Sequence, residues 1–366
     1  MKIAVLGGGH GCYAAAADLT EQGHQVSLWR RDANALTDIR KAKGIRLIDQ
    51  NGSRLIDPAV VTASIGLAVA GADLILIPGP ATAQKDIALA MAPFLSNGQV
   101  VFLPPGTLGS MVMDRCVRQS GVHARVTYAE TGTLPYLARK RSSTEVAITI
   151  RAVRLPTGVY PRCRTDEALH VIRQAYASVQ ACGDALSGAL MNAGPIIHPP
   201  LILMNAAPLE HFAQWDIHNE GTQPSVRAVT NQLDAERMAI RETLGYTAPH
   251  FPLADHYTSD RWMYGDAHKR LVESGDWREH IDLKTHRYML EDTVMGLALQ
   301  ASIARWAGVD APLSHGLLAL AGAILGRDLR YGERTFDAMK LAPLTRAQLL
   351  DCLNFGEAEV VARKMP

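Results

Sequence analysis

The glycine-rich turn at residues 7–11 constrains the fold of this chain more than any other feature of its sequence. An apolar run from Lys2 to Leu6 ends in Gly7-Gly8-Gly9-His10-Gly11, and a helical pattern follows from Tyr13 to Glu21. A second apolar run, from Gln25 to Trp29, comes next. This order of strand, tight turn, helix and strand predicts the first unit of a parallel sheet that binds a dinucleotide.

The turn offers specific contacts to a dinucleotide. Gly7 permits the tight turn, and Gly9 lets the backbone approach a pyrophosphate, while the helix N-terminus supplies N–H groups and the positive end of the helix dipole. We therefore predict cofactor-binding positions at Gly7, Gly9, His10 and Gly11. The third position of the usual glycine fingerprint is Cys12, so helix and strand must pack around a larger side chain.

The residues after the second run indicate which dinucleotide binds. An acidic residue there would accept hydrogen bonds from a ribose 2′-hydroxyl, whereas this chain has Arg30 and Arg31, followed by Asp32. Two guanidinium groups suit a 2′-phosphate, because arginine binds phosphate through paired hydrogen bonds. NADP(H) is therefore favoured, with NAD(H) as the alternative. The other interpretation of the pair is a solvated charged loop.

Further apolar runs continue the alternating pattern of the first half. Residues 73–78, 99–103 and 125–130 are predicted strands, and residues 83–94 form one of the helices between them. Residues 44–58 are predicted to form an inserted hairpin with Asn51-Gly52 at its turn. Because ligands bind beyond the carboxyl ends of such strands, Pro80, which follows the 73–78 run, joins the predicted cofactor-binding residues. A late strand is predicted at residues 144–153 and a helix at residues 165–177.

The second half of the chain has a helical pattern. From residue 185 onward strand patterns give way to helical ones at residues 225–245, 285–308 and 314–325. We predict an α/β N-terminal Rossmann-type doubly wound sheet over residues 1–184, followed by an all-α C-terminal domain over residues 185–366 that carries the substrate site. A homodimer is expected only because it is the commonest oligomer.

Composition excludes several classes of protein. The chain has 366 residues, with 37 Lys+Arg against 36 Asp+Glu, and 48% of its residues are hydrophobic. This balance argues against a nucleic-acid-binding surface and against a disordered chain. Five scattered cysteines without a C-x-x-C pair argue against a disulfide framework or a zinc site, so no metal is expected. The charge-poor stretches contain Pro, Gly, Asn or His, so we expect no membrane span and a cytoplasmic protein.

One segment of the second half has an unusual charge pattern. Residues 185–209 contain no Asp, Glu, Lys or Arg, and His198 is their only readily ionisable side chain. The protonation of a histidine in apolar surroundings responds readily to its neighbours, which suits general acid–base chemistry. The alternative is a hydrogen-bonded structural histidine, which is the commoner role of a lone histidine in such a segment.

Ordered motifs in both halves resemble those of the octopine/nopaline (opine) dehydrogenase family. The motifs are Gly7 to Gly11, Pro80-Ala81, Pro105-Gly106, Glu130-Thr131, Asn192…His198-Pro199…Asn205-Ala206, Pro224-Ser225-Val226, Asp234-Ala235-Glu236-Arg237 and Arg287-Tyr288…Glu291-Asp292. The resemblance covers nearly the whole chain and is greatest to bacterial N-(1-carboxyethyl)-norvaline dehydrogenase-like enzymes. Relatives carry Asn and Gly where this chain has His10 and Cys12, and an acidic residue where it has Arg30.

The resemblance implies an NAD(P)H-dependent oxidoreductase that joins an amino acid or amine metabolite to a 2-oxo acid through an imine, and that also catalyses the reverse oxidation. It implies that His198 and Asp292 are the catalytic pair and that Arg287 binds a substrate carboxylate. Thr131, Tyr136 and Tyr288 are further candidate substrate-pocket residues, and packing is the alternative role of these residue types. On an ideal α-helix Arg287 and Asp292 lie about 140° apart, so Arg287 must lie near a helix start or reach around the helix.

Two other functions stay open from the sequence. A ketopantoate-reductase-like or 3-hydroxyacid dehydrogenase would need a catalytic lysine on the helix after the domain boundary, yet no lysine lies between Lys140 and Lys269. A non-catalytic NADP-binding sensor on the same fold would bind cofactor without turnover, and a His198→Ala substitution would leave that binding intact.

Overall fold

The computed structural model of this chain describes residues 1–363. The chain forms two compact units, one of Met1–Ala189 with the chain from Cys352 onward, and one of Leu190–Asp351. The division falls five residues after the predicted boundary at residue 184. The last segment groups with the first unit because Glu357 pairs with Arg115 and its backbone N–H donates to the Tyr160 hydroxyl at 2.9 Å.

The first unit is built on an eight-stranded sheet and a smaller four-stranded one. Their strands are β1 Lys2–Leu6, β2 Gln25–Trp29, β3 Ile45–Asp49, β4 Gly52–Ile56, β5 Val60–Thr62, β6 Leu74–Leu76, β7 Val100–Leu103, β8 Thr127–Thr131, β9 Tyr136–Lys140, β10 Glu145–Arg151, β11 Leu155–Tyr160 and β12 Val179–Asp184. The large sheet has the order β12-β11-β8-β7-β6-β1-β2-β5. Its strands pair in parallel except for β11 against β8, so the predicted doubly wound sheet is confirmed.

Helices cover the large sheet, as parallel strand connections require. The helices of this unit are α1 His10–Glu21, α2 Thr37–Ala42, α3 Ile65–Val69, α4 Gln84–Met91, α5 Gly109–Gln119, α6 Thr165–Ala175 and α7 Ala185–Ala189. Short 3₁₀ turns lie at Asn34–Leu36, Ala81–Ala83, Ala92–Phe94 and Arg162–Arg164. The four consecutive alanines of α1, residues 14–17, are all buried, which lets this helix lie close to its neighbours.

The smaller sheet has the order β4-β3-β10-β9. It contains the predicted hairpin, with β3 paired antiparallel to β4. The turn is formed by residues 50–51, one position before the predicted Asn51-Gly52, because Gly52 pairs with Asp49 as the first residue of β4. The late strand predicted at residues 144–153 belongs to this sheet as β10 and not to the large one. Buried Asp18 of α1 joins the sheet to the helix, because its carboxylate accepts hydrogen bonds from the Tyr136 hydroxyl at 2.9 Å and from Arg151 at 2.8 Å.

The second unit is helical, as predicted. Its helices are α8 Gly194–Met204, α9 Ala206–His211, α10 Pro224–Thr243, α11 Ala254–Thr258, α12 His268–Ser274, a π-helix at Tyr288–Leu297, α13 Ala298–Ala307 and α14 Pro312–Leu325. The next helix, α15 at Arg346–Phe355, leads into the terminal segment and is followed by α16 at Glu357–Arg363. One detail of the all-α prediction needs correction, since β13 Trp215–Asp216 pairs with β14 Arg278–Glu279. In the part of the chain that is described, no helix is long and apolar enough to span a bilayer.

Candidate active site

The turn after β1 has the geometry that its glycines predict. Gly7 has a φ of +131°, which an L side chain rarely adopts, and its N–H donates to Trp29 O at 2.9 Å. A Cβ added at Gly9 would meet no atom within 4 Å, so the backbone there borders open space. A Cβ at Gly11 would lie 2.9 Å from the Leu134 side chain, so this glycine allows close packing of α1.

The N-terminus of α1 presents backbone donors at this turn. The first amides that bond back along the helix are those of Cys12 and Tyr13, both to Gly9 O, at 3.1 and 3.2 Å. The N–H groups of His10 and Gly11 come before them, where an α-helix has no intrahelical acceptor to offer. Open space beside Gly9 together with these donors fits the pyrophosphate of a dinucleotide.

Cys12 fills the third fingerprint position without adding a charge. Its Sγ lies 3.8 Å from both Leu6 O and Pro78 O, between the ends of two neighbouring strands. Burial raises the pKa of the Cys12 thiol to about 11, so the side chain is neutral at physiological pH. The larger residue is thus accommodated as a buried packing group.

The structure separates the two arginines after β2. Arg30 covers the turn, where a Cβ at Gly8 would collide with its guanidinium, and it donates to the Tyr13 hydroxyl at 3.1 Å. Arg31 points away, is 67% exposed, and pairs with Asp86 of α4 at 3.4 Å. Only Arg30 therefore lies against the glycine turn.

Two other predicted site residues lie at the ends of strands in the large sheet. Pro80 follows β6 and begins the 3₁₀ turn at residues 81–83. Thr131 is the last residue of β8, is fully buried, and donates its hydroxyl to Pro156 O at 2.6 Å. This bond gives Thr131 a structural role. A contact between Thr131 and the substrate stays a prediction.

In the second unit, His198 and Asp292 form a hydrogen-bonded pair. The His198 Nδ1 lies 2.8 Å from Asp292 Oδ2, and the Asp292 side chain is only 3% exposed. His198 is half-buried on α8, and Asp292 lies on the π-helix. The structure thus brings together the two residues that the family resemblance implies are the catalytic pair.

Two glycines allow α8 to lie against the π-helix at this point. A Cβ at Gly194 would collide with the Asp292 carboxylate, and a Cβ at Gly296 would collide with the Pro195 ring. The helix α8 also contains Pro199 and Pro200, which lack N–H groups and so remove two bonds of the helical ladder directly after His198.

The π-helix explains the five-residue spacing that an ideal α-helix does not accommodate. Bonds from i to i+5 widen the turn, so residues five apart lie nearer one face than they would on an α-helix. Arg287 directly precedes this helix, and its guanidinium lies 3.3 Å from the buried Glu291 carboxylate. The Arg287 side chain is 45% exposed. The predicted position near a helix start is therefore correct, although the type of helix was not foreseen.

Aromatic rings surround His198. The Tyr288 ring stacks on the imidazole with centroids 3.8 Å apart, and His218 meets it edge-on at 6.0 Å. Stacking restricts the rotation of the imidazole, so Tyr288 helps to orient the ring. His218 was not predicted, because it lies outside the charge-free segment in a loop after β13 and no local pattern marks it.

The environment of Asp292 sets its charge. Burial raises the pKa of the Asp292 carboxyl above its usual range, and the nearby Arg287 guanidinium opposes that rise. A buried carboxylate that contacts Nδ1 stabilises a protonated imidazole and fixes the ring tautomer.

Two segments of the chain, one in each half, match the models of known dehydrogenase domains. Residues 181–325 match the NAD/NADP octopine/nopaline dehydrogenase alpha-helical domain. Residues 2–104 match the N-terminus of NAD-dependent glycerol-3-phosphate dehydrogenase. The first match contains His198, Arg287 and Asp292, and the second contains the glycine turn.

Individual relatives match over nearly the whole chain. An opine dehydrogenase of Arthrobacter sp. (strain 1C) is 29% identical over 351 residues, which cover 94% of this chain and 96% of that protein. A structure of octopine dehydrogenase with NADH and agmatine has a TM-score of 0.66 at 17% identity, covering 94% of this chain and 98% of that one. A yersinopine dehydrogenase with NADP⁺ bound has a TM-score of 0.65 at 13% identity, covering 95% and 98%. These matches agree with the resemblance to the octopine/nopaline dehydrogenase family that rests on the sequence motifs.

Proposed function

We propose, from the premise that this chain belongs to the octopine/nopaline dehydrogenase family, that it condenses the amino group of an amino acid with a 2-oxo acid and reduces the resulting imine. The chain is an NAD(P)-dependent oxidoreductase of the opine dehydrogenase type that acts on CH–NH donors. When bound, the nicotinamide supplies the hydride that reduces the imine carbon. The product is a secondary amine that carries two carboxylates.

The single observation that carries this proposal is the bond between His198 and Asp292 inside the region that matches the family's helical domain. Because Asp292 engages Nδ1, we assign proton exchange with the substrates to Nε2. A neutral His198 accepts the proton that the ammonium of the amino acid must lose before it attacks the ketone. The protonated ring then donates a hydrogen bond to the carbonyl oxygen, which leaves as water when the imine forms.

The neighbouring residues receive roles that fit their chemistry. Asp292 stabilises the imidazolium and holds the ring in one tautomer. The Arg287 side chain is partly exposed, and we assign its guanidinium to a substrate carboxylate, which it can bind through paired hydrogen bonds. Tyr288 holds the imidazole plane by stacking, and it borders the substrates on that side.

For the cofactor, we propose a preference for NADP(H). The support is Arg30, which lies against the glycine turn where an acidic residue would otherwise select the ribose 2′-hydroxyl. Arg31 is a weaker candidate, because its guanidinium already pairs with Asp86. A 2′-phosphate would compete with that exposed carboxylate for Arg31.

The test of the function is a matrix of amino acids against pyruvate, oxaloacetate and 2-oxoglutarate, with NADPH oxidation followed by its absorbance. The proposal expects oxidation that requires both the 2-oxo acid and the amine. Oxidation with a 2-oxo acid alone, indifferent to the amine, would contradict it and favour a hydroxyacid dehydrogenase. Cofactor binding without turnover across the whole matrix would favour the sensor.

A further inference from the structure

Tyr13 of α1 lies between two cationic side chains at the start of the helix. Its hydroxyl accepts a hydrogen bond from Arg30 at 3.1 Å, and the Lys140 ammonium lies 4.0 Å from the centroid of its ring. Tyr13 is fully buried, while Arg30 and Lys140 are half-buried. The phenol therefore holds two positive charges on one side of the helix N-terminus.

The two cations reach this place from different sheets. Arg30 follows β2 of the large sheet, and Lys140 is the last residue of β9 in the small sheet. The Lys140 backbone N–H donates to His10 Nδ1 at 2.8 Å, and His10 is the first residue of α1. This bond places the proton of a neutral His10 on Nε2, and it anchors the end of β9 to the glycine turn.

Neither cation is neutralised by a carboxylate in the part of the chain that the structure describes. Over residues 1–363, neither the Arg30 guanidinium nor the Lys140 ammonium forms an ion pair with a carboxylate, whereas the neighbouring Arg31 pairs with Asp86. Cations that are half-buried without a counter-charge are electrostatically costly, and a bound anion removes that cost. The positive end of the α1 dipole adds to the same field.

We propose that Lys140 binds the pyrophosphate of the dinucleotide and that Arg30 binds its 2′-phosphate. The inference rests on the proposed function only in requiring a dinucleotide at the glycine turn. Lys140 is attached through His10 to the helix start, where the pyrophosphate lies, whereas Arg30 lies at the end of β2, where the adenosine ribose lies. Lys140 and Arg30 therefore bind different phosphate groups of the same cofactor.

The experiment measures the dissociation constants of NADPH and NADH, without substrates, from the fluorescence of the reduced nicotinamide. Lys140→Met is expected to weaken both cofactors by the same factor of about ten, because both contain the pyrophosphate. Arg30→Met is expected to weaken NADPH by about tenfold and to leave NADH almost unchanged. Lys41→Met, at an exposed position of α2, controls for the loss of one positive charge.

A second variant separates charge from packing. Lys140→Arg keeps the charge and should restore most of the affinity for both cofactors, and a circular-dichroism melt confirms that Lys140→Met is folded. A loss for NADPH alone in Lys140→Met, or no loss for either cofactor, overturns the role of Lys140. Neither result affects the proposed function, which depends on turnover that requires the amine.

Discussion

His198 Nδ1 and Asp292 Oδ2 lie 2.8 Å apart although their residues are separated by 94 positions in the chain. The contact exists because two glycines let α8 approach the π-helix on which Asp292 lies. A carboxylate buried against one nitrogen of a half-buried imidazole makes the other nitrogen a stronger base.

Substitutions of His198 and Asp292 should have effects on kcat that are not additive in free energy. We expect His198→Gln and Asp292→Asn each to lower kcat by about 10²- to 10⁴-fold, because each removes the base or its orientation. The double variant should be little worse than His198→Gln, since Asp292 acts through the imidazole. Steady-state kinetics with both substrates saturating, together with NADPH binding, provides the measurement.

NADPH binding by both single variants should match that of the wild type, because the glycine turn is untouched. Effects of the two substitutions that simply multiply would show that Asp292 acts independently of His198, and the assigned role would then fail.

Gly194 should be intolerant of a methyl group. A Cβ there would collide with the Asp292 carboxylate, so Gly194→Ala should displace that side chain and lower kcat by at least about tenfold. Gly316→Ala in α14 is the matched control, since a Cβ there meets no atom within 4 Å. The control should keep full activity and gain up to about 1 kcal/mol in unfolding free energy. Equal activity of the two variants would argue against a precise His198–Asp292 geometry.

Much of this architecture is predictable from local patterns. The glycine turn, the alternation of strands and helices, and the hairpin within residues 44–58 all depend on residues close together in the chain, where turn chemistry and periodicity act directly. The isolated His198 was visible for the same reason, because an absence of charge over residues 185–209 is itself a local pattern.

Other features could not be predicted because they depend on tertiary packing. The π-helix at 288–297 has no distinct sequence signature, so the spacing of Arg287 and Asp292 fitted an α-helix poorly. The approach of Lys140 to Tyr13 depends on how the small sheet joins α1. The two-residue strands β13 and β14 are 62 positions apart, which periodicity cannot detect.

Buried Glu130 should be important for stability. Its carboxylate accepts hydrogen bonds from the backbone N–H groups of Leu108 at 2.7 Å and Ser110 at 3.2 Å, and it holds a loop in which Thr107 and Leu108 both have positive φ. Glu130→Gln places an amide donor against one of these N–H groups, so we expect a loss of about 1–3 kcal/mol in unfolding free energy. Urea denaturation measures this free energy of unfolding.

The control is Glu167→Gln at an exposed position of α6, which should lose less than about 0.5 kcal/mol of unfolding free energy. Equal losses in the two variants would contradict the role of Glu130.

Buried His256 should make the protein sensitive to acid. Burial, together with the nearby His268, His218 and Arg227, lowers the pKa of His256 to about 3, whereas in the unfolded chain the pKa is about 6.5. The folded state therefore binds fewer protons, so the stability linked to this group is complete above pH 6.5 and is lost as the pH falls toward 3. At pH 5 the loss of unfolding free energy is about 2 kcal/mol, because this pH lies 1.5 units below the pKa of the unfolded chain.

The variant His256→Phe tests this, because its ring can pack on Trp262 but cannot be protonated. Its unfolding free energy should be nearly that of the wild type at pH 7.5 and about 2 kcal/mol higher than that of the wild type at pH 5. The exposed His123→Phe should leave the pH dependence unchanged, and a His256→Phe variant with the wild-type pH dependence would show that His256 is not its source.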